Sequence, residues 1–137
     1  MTNQTGRCQC GAISFEVTAE PVMSGYCHCL DCQKASGAPH VMHVAFPAGA
    51  INVKGKTRTF QSTADSGGTV TREFCPNCGS RMFGSSTTLP GMKTVHAAAF
   101  DNPSVFTPVM TVYAKRALLW DHVATDLPAF AAMPPQP

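Results

Sequence analysis

The sequence predicts an all-β fold, and three observations support that prediction. Short apolar segments recur along the 137 residues, with proline, glycine or asparagine between them. No segment shows the long 3.6-residue apolar period of an amphipathic helix. Seven cysteines stand in three short clusters, which is typical of thiols that hold metal ions in a small domain. We therefore expect a single metal-stabilised domain, 1–137, built from short antiparallel strands and ending in a proline-rich tail from about 131 to 137.

Composition excludes several classes of protein. The apolar fraction of 44% is that of an ordinary globular domain, whereas the charged fraction of 13% is well below the usual level of about 25%. A disordered chain would have the opposite balance. The net charge of +2 is too small and too scattered for a nucleic-acid-binding surface. A nucleic-acid-binding zinc ribbon is therefore disfavoured, and we expect no nucleic-acid partner.

The N-terminal residues and the cysteine count indicate a reducing compartment. The first eight residues contain no apolar core of a signal peptide, and no apolar run approaches the roughly 20 residues that cross a bilayer. An odd number of cysteines also excludes a fully paired disulfide framework within the chain. We expect a cytoplasmic protein with no membrane partner, whose thiols are free or bind metal.

The predicted elements follow in order from local patterns. Residues 13–18 alternate apolar and polar side chains as a half-buried strand does, and Pro21 ends it. The cysteines from 27 to 32 fall in a loop, with one helical turn at 30–35 that stops before Gly37. Residues 51–60 resemble a small hairpin with Gly55 at its turn. Further strands are predicted at 41–46, 70–74, 81–83, 93–97 and 109–113, the last running on toward 117–120.

Two of the cysteine clusters have the form of zinc knuckles. In Cys75-Pro76-Asn77-Cys78-Gly79 a tight turn presents two thiols, and in Cys8-Gln9-Cys10-Gly11 a glycine again follows the second thiol. Each pair supplies two ligands and needs another pair. If the two pairs meet, four thiolates close a tetrahedral structural zinc site and join distant parts of the chain.

The third cluster would then hold three ligands around an open position. Cys27, Cys29 and Cys32 lie within six residues, so they can converge on one ion from a single loop. His28 stands between two of these ligands, and its side chain should point away. A different partition stays open, because Cys29 and Cys32 could pair with Cys75 and Cys78 as a zinc ribbon. Cys8, Cys10 and Cys27 would then be left over.

An open zinc with three thiolates favours a particular chemistry. Three negative ligands make the ion a poor activator of water, yet a thiol that binds at the fourth position is deprotonated. A free thiol has a pKa near 8.5, so this site would hold it as the nucleophile at neutral pH. The carbon of an aldehyde is a suitable electrophile for such a sulfur.

The cysteine pattern and its flanks resemble one known family. The order is Cys8-Gln9-Cys10-Gly11, then Cys27-His28-Cys29-Leu30-Asp31-Cys32 with Gln33-Lys34-Ala35-Ser36-Gly37-Ala38, then Phe74-Cys75-Pro76-Asn77-Cys78-Gly79. Val112-Tyr113, Arg116, Trp120-Asp121 and the segments around 127–130 and 133–134 are also similar. Together they resemble the glutathione-dependent formaldehyde-activating (GFA) family, whose relatives include the centromere-protein-V-like proteins.

The resemblance implies a fold, a metal content and a reaction. The fold would be a β-tent with two zinc ions, one structural at Cys8, Cys10, Cys75 and Cys78 and one catalytic at Cys27, Cys29 and Cys32. The reaction would be the addition of glutathione, or a similar small thiol, to formaldehyde or another small aldehyde, catalysed by a carbon–sulfur lyase. The alternative is a non-catalytic, zinc-stabilised binding module, which a fourth protein ligand from a histidine would favour.

Other residues have weaker claims to a role. Glutathione carries carboxylates, so Lys34, Arg72 and Arg81, which lie near the thiols in sequence, are candidates to bind it. Ordinary surface charge explains the same residues. One of the histidines at 40, 43, 96 and 122 could transfer a proton, but a structural or surface role explains each of them too. The sequence does not predict the oligomeric state.

Overall fold

The computed structural model describes residues 3–135, so part of the proline-rich tail predicted from about 131 to 137 lies outside the described residues. Its strands are β1 (Gln4–Arg7), β2 (Ser14–Val17), β3 (Met23–Cys27), β4 (Val41–Pro47), β5 (Ile51–Lys54), β6 (Arg58–Thr63), β7 (Thr69–Phe74), β8 (Arg81–Ser86), β9 (Met92–His96) and β10 (Thr111–Val112). One α-helix, α1, spans Leu30–Ser36, and short 3-10 turns lie at Ala48–Ala50, Ala97–Ala99, Pro103–Val105 and Ala114–Arg116. Within residues 3–135, every helix is too short to cross a bilayer. The prediction of an all-β fold is confirmed in part, because the described residues are mostly β but include one short α-helix.

The strands form two sheets. The smaller has the order β1-β2-β5, and the larger has the order β10-β3-β4-β9-β8-β7-β6. Neighbouring strands are antiparallel except β10, which pairs parallel to β3 through Thr111 and Val112. This pairing brings the C-terminal part of the chain beside the end of β3, where the first of the clustered thiols stands.

The core lies between the two sheets. Phe15 and Val17 of β2 are buried in one cluster with Val44 and Phe46 of β4. The ring of Phe15 packs edge-on against Phe83 of β8, with 5.3 Å between centroids. Burial of each such side chain contributes about 1.5–3 kcal/mol. The large sheet therefore turns one face to the core, and its other face is available for a site.

Most local strand predictions are confirmed, but the hairpin predicted at 51–60 is wrong. β5 pairs with β2 in the small sheet, and β6 pairs with β7 in the large one. Gly55 has a φ of 99°, and a Cβ there would lie 2.3 Å from the carbonyl oxygen of Ala12. The glycine thus lets the chain pass from one sheet to the other, which its sequence pattern does not distinguish from a hairpin turn.

The predicted continuation of the strand at 109–113 toward 117–120 is also wrong. β10 ends at Val112, and Tyr113 adopts a left-handed conformation with a φ of 54°. The chain then enters the 3-10 turn Ala114–Arg116. Leu119 and Trp120 are largely exposed. The change of direction at Tyr113 thus replaces strand pairing with a turn beside the thiols.

Candidate metal centres

Four cysteines meet where the small sheet approaches the β7–β8 turn. The sulfurs of Cys8, Cys10, Cys75 and Cys78 all lie within 4.8 Å of one another. Cys10 Sγ lies 3.6 Å from Cys8 Sγ and 3.8 Å from Cys75 Sγ, and all four thiols are free. A tetrahedral zinc ion 2.3 Å from each sulfur would set the sulfurs about 3.8 Å apart. The spacing and the donor set therefore fit a closed four-thiolate zinc site.

Two similar turns build this cluster. Gly11 N donates to Cys8 O and Gly79 N donates to Cys75 O, and both glycines have φ near 80°. The backbone N–H groups of these turns also point at sulfur. Ile13 N donates to Cys8 Sγ at 3.2 Å, and Asn77 N donates to Cys75 Sγ at 3.4 Å. Such donors stabilise thiolates, which are the form that binds metal.

The electrostatics of the cluster favour thiolates at its exposed corner. The Ser80 hydroxyl and backbone lower the pKa of Cys78 to about 5, and Ser80 Oγ lies 3.2 Å from that sulfur. The side chain of Asn77 and the backbone of Ala12 lower the pKa of Cys10. Cys78 is therefore a thiolate at neutral pH, and the lowered pKa of Cys10 favours the same form.

The other three cysteines converge at the junction of β3 and α1. Cys27 is the last residue of β3, Cys29 is the N-cap of α1, and Cys32 lies in the first turn of the helix. Cys29 Sγ accepts a hydrogen bond from Cys32 N at 3.2 Å, which caps the helix. Gly37 ends the helix with a φ of 71°, close to the predicted stop. The three sulfurs lie within 4.8 Å of one another.

The surroundings shift the pKa values of Cys27 and Cys29 in opposite directions. Hydrogen bonds from Cys27 and Cys32, helped by the positive charge of Arg72, lower the pKa of Cys29 to about 2. Hydrogen bonds with Cys29 and Cys32 raise the pKa of Cys27, and burial raises it further. Cys29 is thus the first thiolate of the group, and it offers the first ligand to an incoming cation.

The three-sulfur group has an open side. Among residues 3–135, no fourth His, Cys, Asp or Glu ligand atom lies within 4.8 Å of all three sulfurs. The sulfurs instead line a cavity of about 270 Å³. Its wall also carries Arg72 and Arg116, and Asp31 and Asp65. Three thiols, two cations and two anions therefore surround one space.

Of the three basic residues predicted to bind glutathione, only Arg72 lines this cavity. Arg72 lines it and donates to Ser62 Oγ at 3.3 Å. Lys34 and Arg81 instead line a smaller adjacent pocket of about 170 Å³, where the guanidinium of Arg81 lies 5.1 Å from the ring centroid of Phe74. Arg116 was not singled out from the sequence as a substrate contact. Only its place in the family-like segment at 112–121 could have indicated it.

Tyr113 also lines this cavity, and its backbone is unusual. It is the one non-glycine residue with a positive φ in the described part of the chain. Burial raises the pKa of its hydroxyl, so the group keeps its proton at neutral pH. A strained backbone beside a reactive cluster is a feature of functional sites. In the sequence, Tyr113 stands out only through the family-like pair Val112-Tyr113.

His28 is turned away from the sulfurs and belongs to a third group. His28 Nδ1 lies 3.5 Å from Asp121 Oδ2, and His40 Nδ1 lies 2.6 Å from the same oxygen. The distance from His40 is that of a short, charge-assisted hydrogen bond. The hydrogen bond from His40 thereby joins the C-terminal segment to the chain between α1 and β4, and His28 packs beside it. Sequence spacing gives no sign of this contact, because His40 and Asp121 are 81 residues apart.

The remaining histidines differ in their surroundings. His43 Nε2 lies 3.5 Å from Cys32 Sγ, and burial lowers the pKa of His43 to about 4. His96 packs edge-on against His43 with 5.1 Å between ring centroids, and burial lowers its pKa to about 3. Both are neutral imidazoles at neutral pH. His122 is exposed.

Fold and site together define a small, mostly β protein with one closed four-thiol group and one open three-thiol group. A family model described as "Glutathione-dependent formaldehyde-activating enzyme" matches residues 3–116. The match covers most of the chain and both thiol groups. The chain belongs to this family.

A solved structure supports the fold. The chain resembles the crystal structure of a Rhodobacter sphaeroides protein with a TM-score of 0.57 and 22% sequence identity. The similarity covers 71% of this chain and 87% of that one. No curated protein sequence matches the chain significantly. The likeness to the bacterial structure therefore speaks for the architecture alone.

Proposed function

We propose that this protein is a zinc-dependent carbon–sulfur lyase that combines glutathione, or a similar small thiol, with formaldehyde or another small aldehyde to give an S-(hydroxymethyl)-type adduct. The observation that carries the proposal is the group of three sulfurs with no fourth ligand among residues 3–135, open to a cavity with charged walls. Cys27, Cys29 and Cys32 would hold a catalytic zinc. Cys8, Cys10, Cys75 and Cys78 would hold a structural zinc.

The division of roles rests on the surroundings of each group. The four-thiol group joins segments 65 residues apart, and its geometry leaves no position for a substrate. The three-thiol group comes from one short segment and borders the cavity. Zinc bound there would lower the pKa of a thiol that binds at its fourth position. The family's β-tent architecture and a reducing cytosol are parts of the same proposal, and the seven free thiols are consistent with that compartment.

The charges of the cavity suit the backbone of glutathione. The tripeptide carries two carboxylates and one ammonium group, and the wall offers two guanidinium groups and two carboxylates. Arg72 and Arg116 would bind the carboxylates, with the planar, bidentate geometry that guanidinium favours. Asp31 and Asp65 would bind the ammonium. A neutral thiol without these groups would leave the charges unpaired.

The proton that the reaction places on oxygen also has a candidate donor. When sulfur adds to the carbonyl carbon, the π bond breaks and the oxygen gains negative charge. Tyr113 lines the cavity and keeps its hydroxyl proton at neutral pH. Its hydroxyl would donate to this oxygen, and the proton lost by the thiol would restore it. The sequence also offers His40, His43, His96 and His122 as candidates for a proton transfer, but none of these four lines the charged cavity.

The test is a glutathione titration of the cobalt-substituted protein, with metal per chain counted in the same sample. Two metals and a thiolate-to-cobalt absorption band that grows with glutathione support the proposal. Cys29→Ser is the matched control, and it should bind one metal and show no growth of the band. Two metals and an unchanged spectrum would favour the non-catalytic binding module. One metal in the unsubstituted chain would contradict the division into four and three ligands.

A further inference from the structure

A second cavity, of about 320 Å³, reaches the three-thiol group at Cys32, and its lining includes neither Asp31 nor Asp65. It adjoins the charged cavity, with which it shares Cys32, Val70, Arg72, Ser86 and Leu89, and almost all of its exposed surface is apolar. We propose that this apolar cavity binds the carbon chain of the aldehyde, so that the substrates of this protein include aldehydes with an aliphatic or aromatic substituent. The proposal rests on the proposed function and names the substrate class of the same site.

The apolar cavity lies on the outer face of the large sheet. Along β4, Val44 and Phe46 are buried in the core between the sheets, whereas Ala45 and His43 line the cavity. Successive side chains of a strand point to opposite faces. The outer face of an antiparallel sheet is usually polar where it meets water. Here the exposed part of that face, which lines the cavity, is mostly apolar, and this suits an apolar ligand.

The strands on either side continue this surface. Met23 on β3 pairs with Ala45, and Met92 on β9 lies at the far end of the wall. Methionine adapts its shape and suits a site that accepts more than one apolar group. These three side chains form an apolar part of the wall, although Ser85, Ser86 and Thr94 also line the cavity. An apolar ligand group would bury its surface against this part of the wall.

Two histidines, His43 and His96, line this cavity, and their rings pack edge-on against each other with 5.1 Å between centroids. Arg72 is the one charged residue of the lining, and it stands at the boundary with the charged cavity. The polarity thus changes across the three-thiol group, from charged on one side to apolar on the other. This order suits a reaction between a charged thiol and an apolar carbonyl compound.

Size and position assign the cavity to the aldehyde. Formaldehyde has no carbon substituent and leaves 320 Å³ unused. In an aldehyde R–CHO, sulfur forms a bond to the carbonyl carbon, the C=O π bond breaks, and the thiol proton ends on oxygen. The product is the hemithioacetal R–CH(OH)–S–R′, and no oxidant or reductant is required. With the thiol in the charged cavity, R extends past Cys32 into the apolar one.

The first test compares kcat/KM for formaldehyde, propanal and hexanal at saturating glutathione in the two-metal protein. Ala45→Leu fills the apolar cavity, and Ala98→Leu adds the same side chain at an exposed position outside it. Each buried methylene contributes about fourfold, which corresponds to about 0.8 kcal/mol. We expect Ala45→Leu to lower kcat/KM for hexanal at least tenfold more than for formaldehyde. The ratio of kcat/KM for hexanal to kcat/KM for formaldehyde is compared between each variant and the unsubstituted chain, so the different reactivities of the two aldehydes cancel.

The second test does not depend on turnover. With ¹³C-labelled methionine methyl groups, 1-hexanol, which cannot react, should shift the signals of Met23 and Met92 in the two-metal protein. The shifts should disappear in Ala45→Leu and persist in Ala98→Leu. Met92→Ala enlarges the cavity and should move the preference toward longer aldehydes, which keeps the proposal testable if Ala45→Leu does not fold.

The outcomes separate this proposal from the proposed function. If formaldehyde and hexanal respond equally to Ala45→Leu and hexanol shifts neither methionine, the apolar cavity does not bind the aldehyde, while formaldehyde turnover still supports the lyase. If longer thiols rather than longer aldehydes lose rate in Ala45→Leu, the assignment to the aldehyde is wrong. If no aldehyde reacts and the absorption spectrum of the cobalt-substituted protein does not change with glutathione, the lyase proposal itself fails.

Discussion

Replacing one ligand in each thiol group should have different effects on stability. Cys75 is fully buried and belongs to the group that links residues 65 positions apart. Cys75→Ser should remove the metal that joins the small sheet to the β7–β8 turn. Cys29→Ser should remove the metal of the three-thiol group, while its hydroxyl can still accept the cap hydrogen bond from Cys32 N. Each variant should contain one zinc per chain.

The magnitude follows from linkage between metal binding and folding. A metal that binds only the folded state, at a free concentration 1,000 times its Kd, adds about 4 kcal/mol to the free energy of unfolding. For a chain of this length, 1 kcal/mol corresponds to roughly 3–4 °C in Tm, so Cys75→Ser should lower Tm by about 12–16 °C. Cys27, Cys29 and Cys32 lie within six residues and can still bind zinc in the unfolded chain. Binding to the unfolded state reduces the stabilisation, so Cys29→Ser should lower Tm by much less.

The measurement is thermal unfolding followed by circular dichroism in zinc-buffered solution, with metal content determined on the same samples. Cys29→Ser serves as the matched control, because both variants exchange one sulfur for one oxygen. An equal loss of Tm in the two variants would refute the argument that the long-range group carries most of the metal-linked stability. Two zinc ions retained by Cys29→Ser would refute the assignment of the three-thiol group as a metal site.

Three further predictions concern single side chains. Arg72→Ala should raise KM for glutathione about tenfold or more because a charge-assisted hydrogen bond is lost, with Arg72→Lys intermediate, and an unchanged KM would exclude this contact. Tyr113→Phe should lower kcat about 100-fold at constant metal content and constant KM for glutathione, and a change below threefold would show that another group supplies the proton. Burial lowers the pKa of His96 to about 3, so the unfolded chain binds a proton below pH 6.5 that the folded chain does not. The free energy of unfolding measured in urea should therefore fall as the pH drops from about 6.5, with about 2 kcal/mol lost through His96 between pH 7 and pH 5. This loss should be smaller in His96→Gln, whereas His122→Gln should lose as much stability as the unsubstituted chain.

Local patterns were sufficient for the elements that lie flat against the core. The alternation around Phe15 and Val17 predicts β2 because one face of that strand is buried and the other is wet. The spacing of Cys75 and Cys78 predicts a turn between two strands, as found between β7 and β8. The same reasoning fails at Gly55, since a glycine between two apolar runs permits either a hairpin or a passage between sheets. Pairing partners decide between them, and these lie far away in sequence.

Local patterns also do not predict the charged cavity, because its lining residues are far apart in the sequence. Its residues come from the β6–β7 loop at Asp65, from β7 at Arg72 and from the C-terminal segment at Tyr113 and Arg116. Only tertiary structure brings them to the thiols. The left-handed backbone of Tyr113 turns the C-terminal segment at the site. Residue preferences do not predict this turn, because tyrosine rarely adopts that conformation.

β4 shows why a substrate cavity can be hidden in a correctly predicted strand. Its run from Val41 to Phe46 is nearly continuous in apolar residues, which is the pattern of a strand covered on both faces. One face is covered by the small sheet, where Val44 and Phe46 are buried. On the other face Ala45 is also largely buried, Cys32 of α1 approaches His43, and both His43 and Ala45 line the apolar cavity. The missing alternation therefore reflects a strand that is largely enclosed on both faces, and under the proposal above the open part of the second face is where the carbon chain of the aldehyde binds.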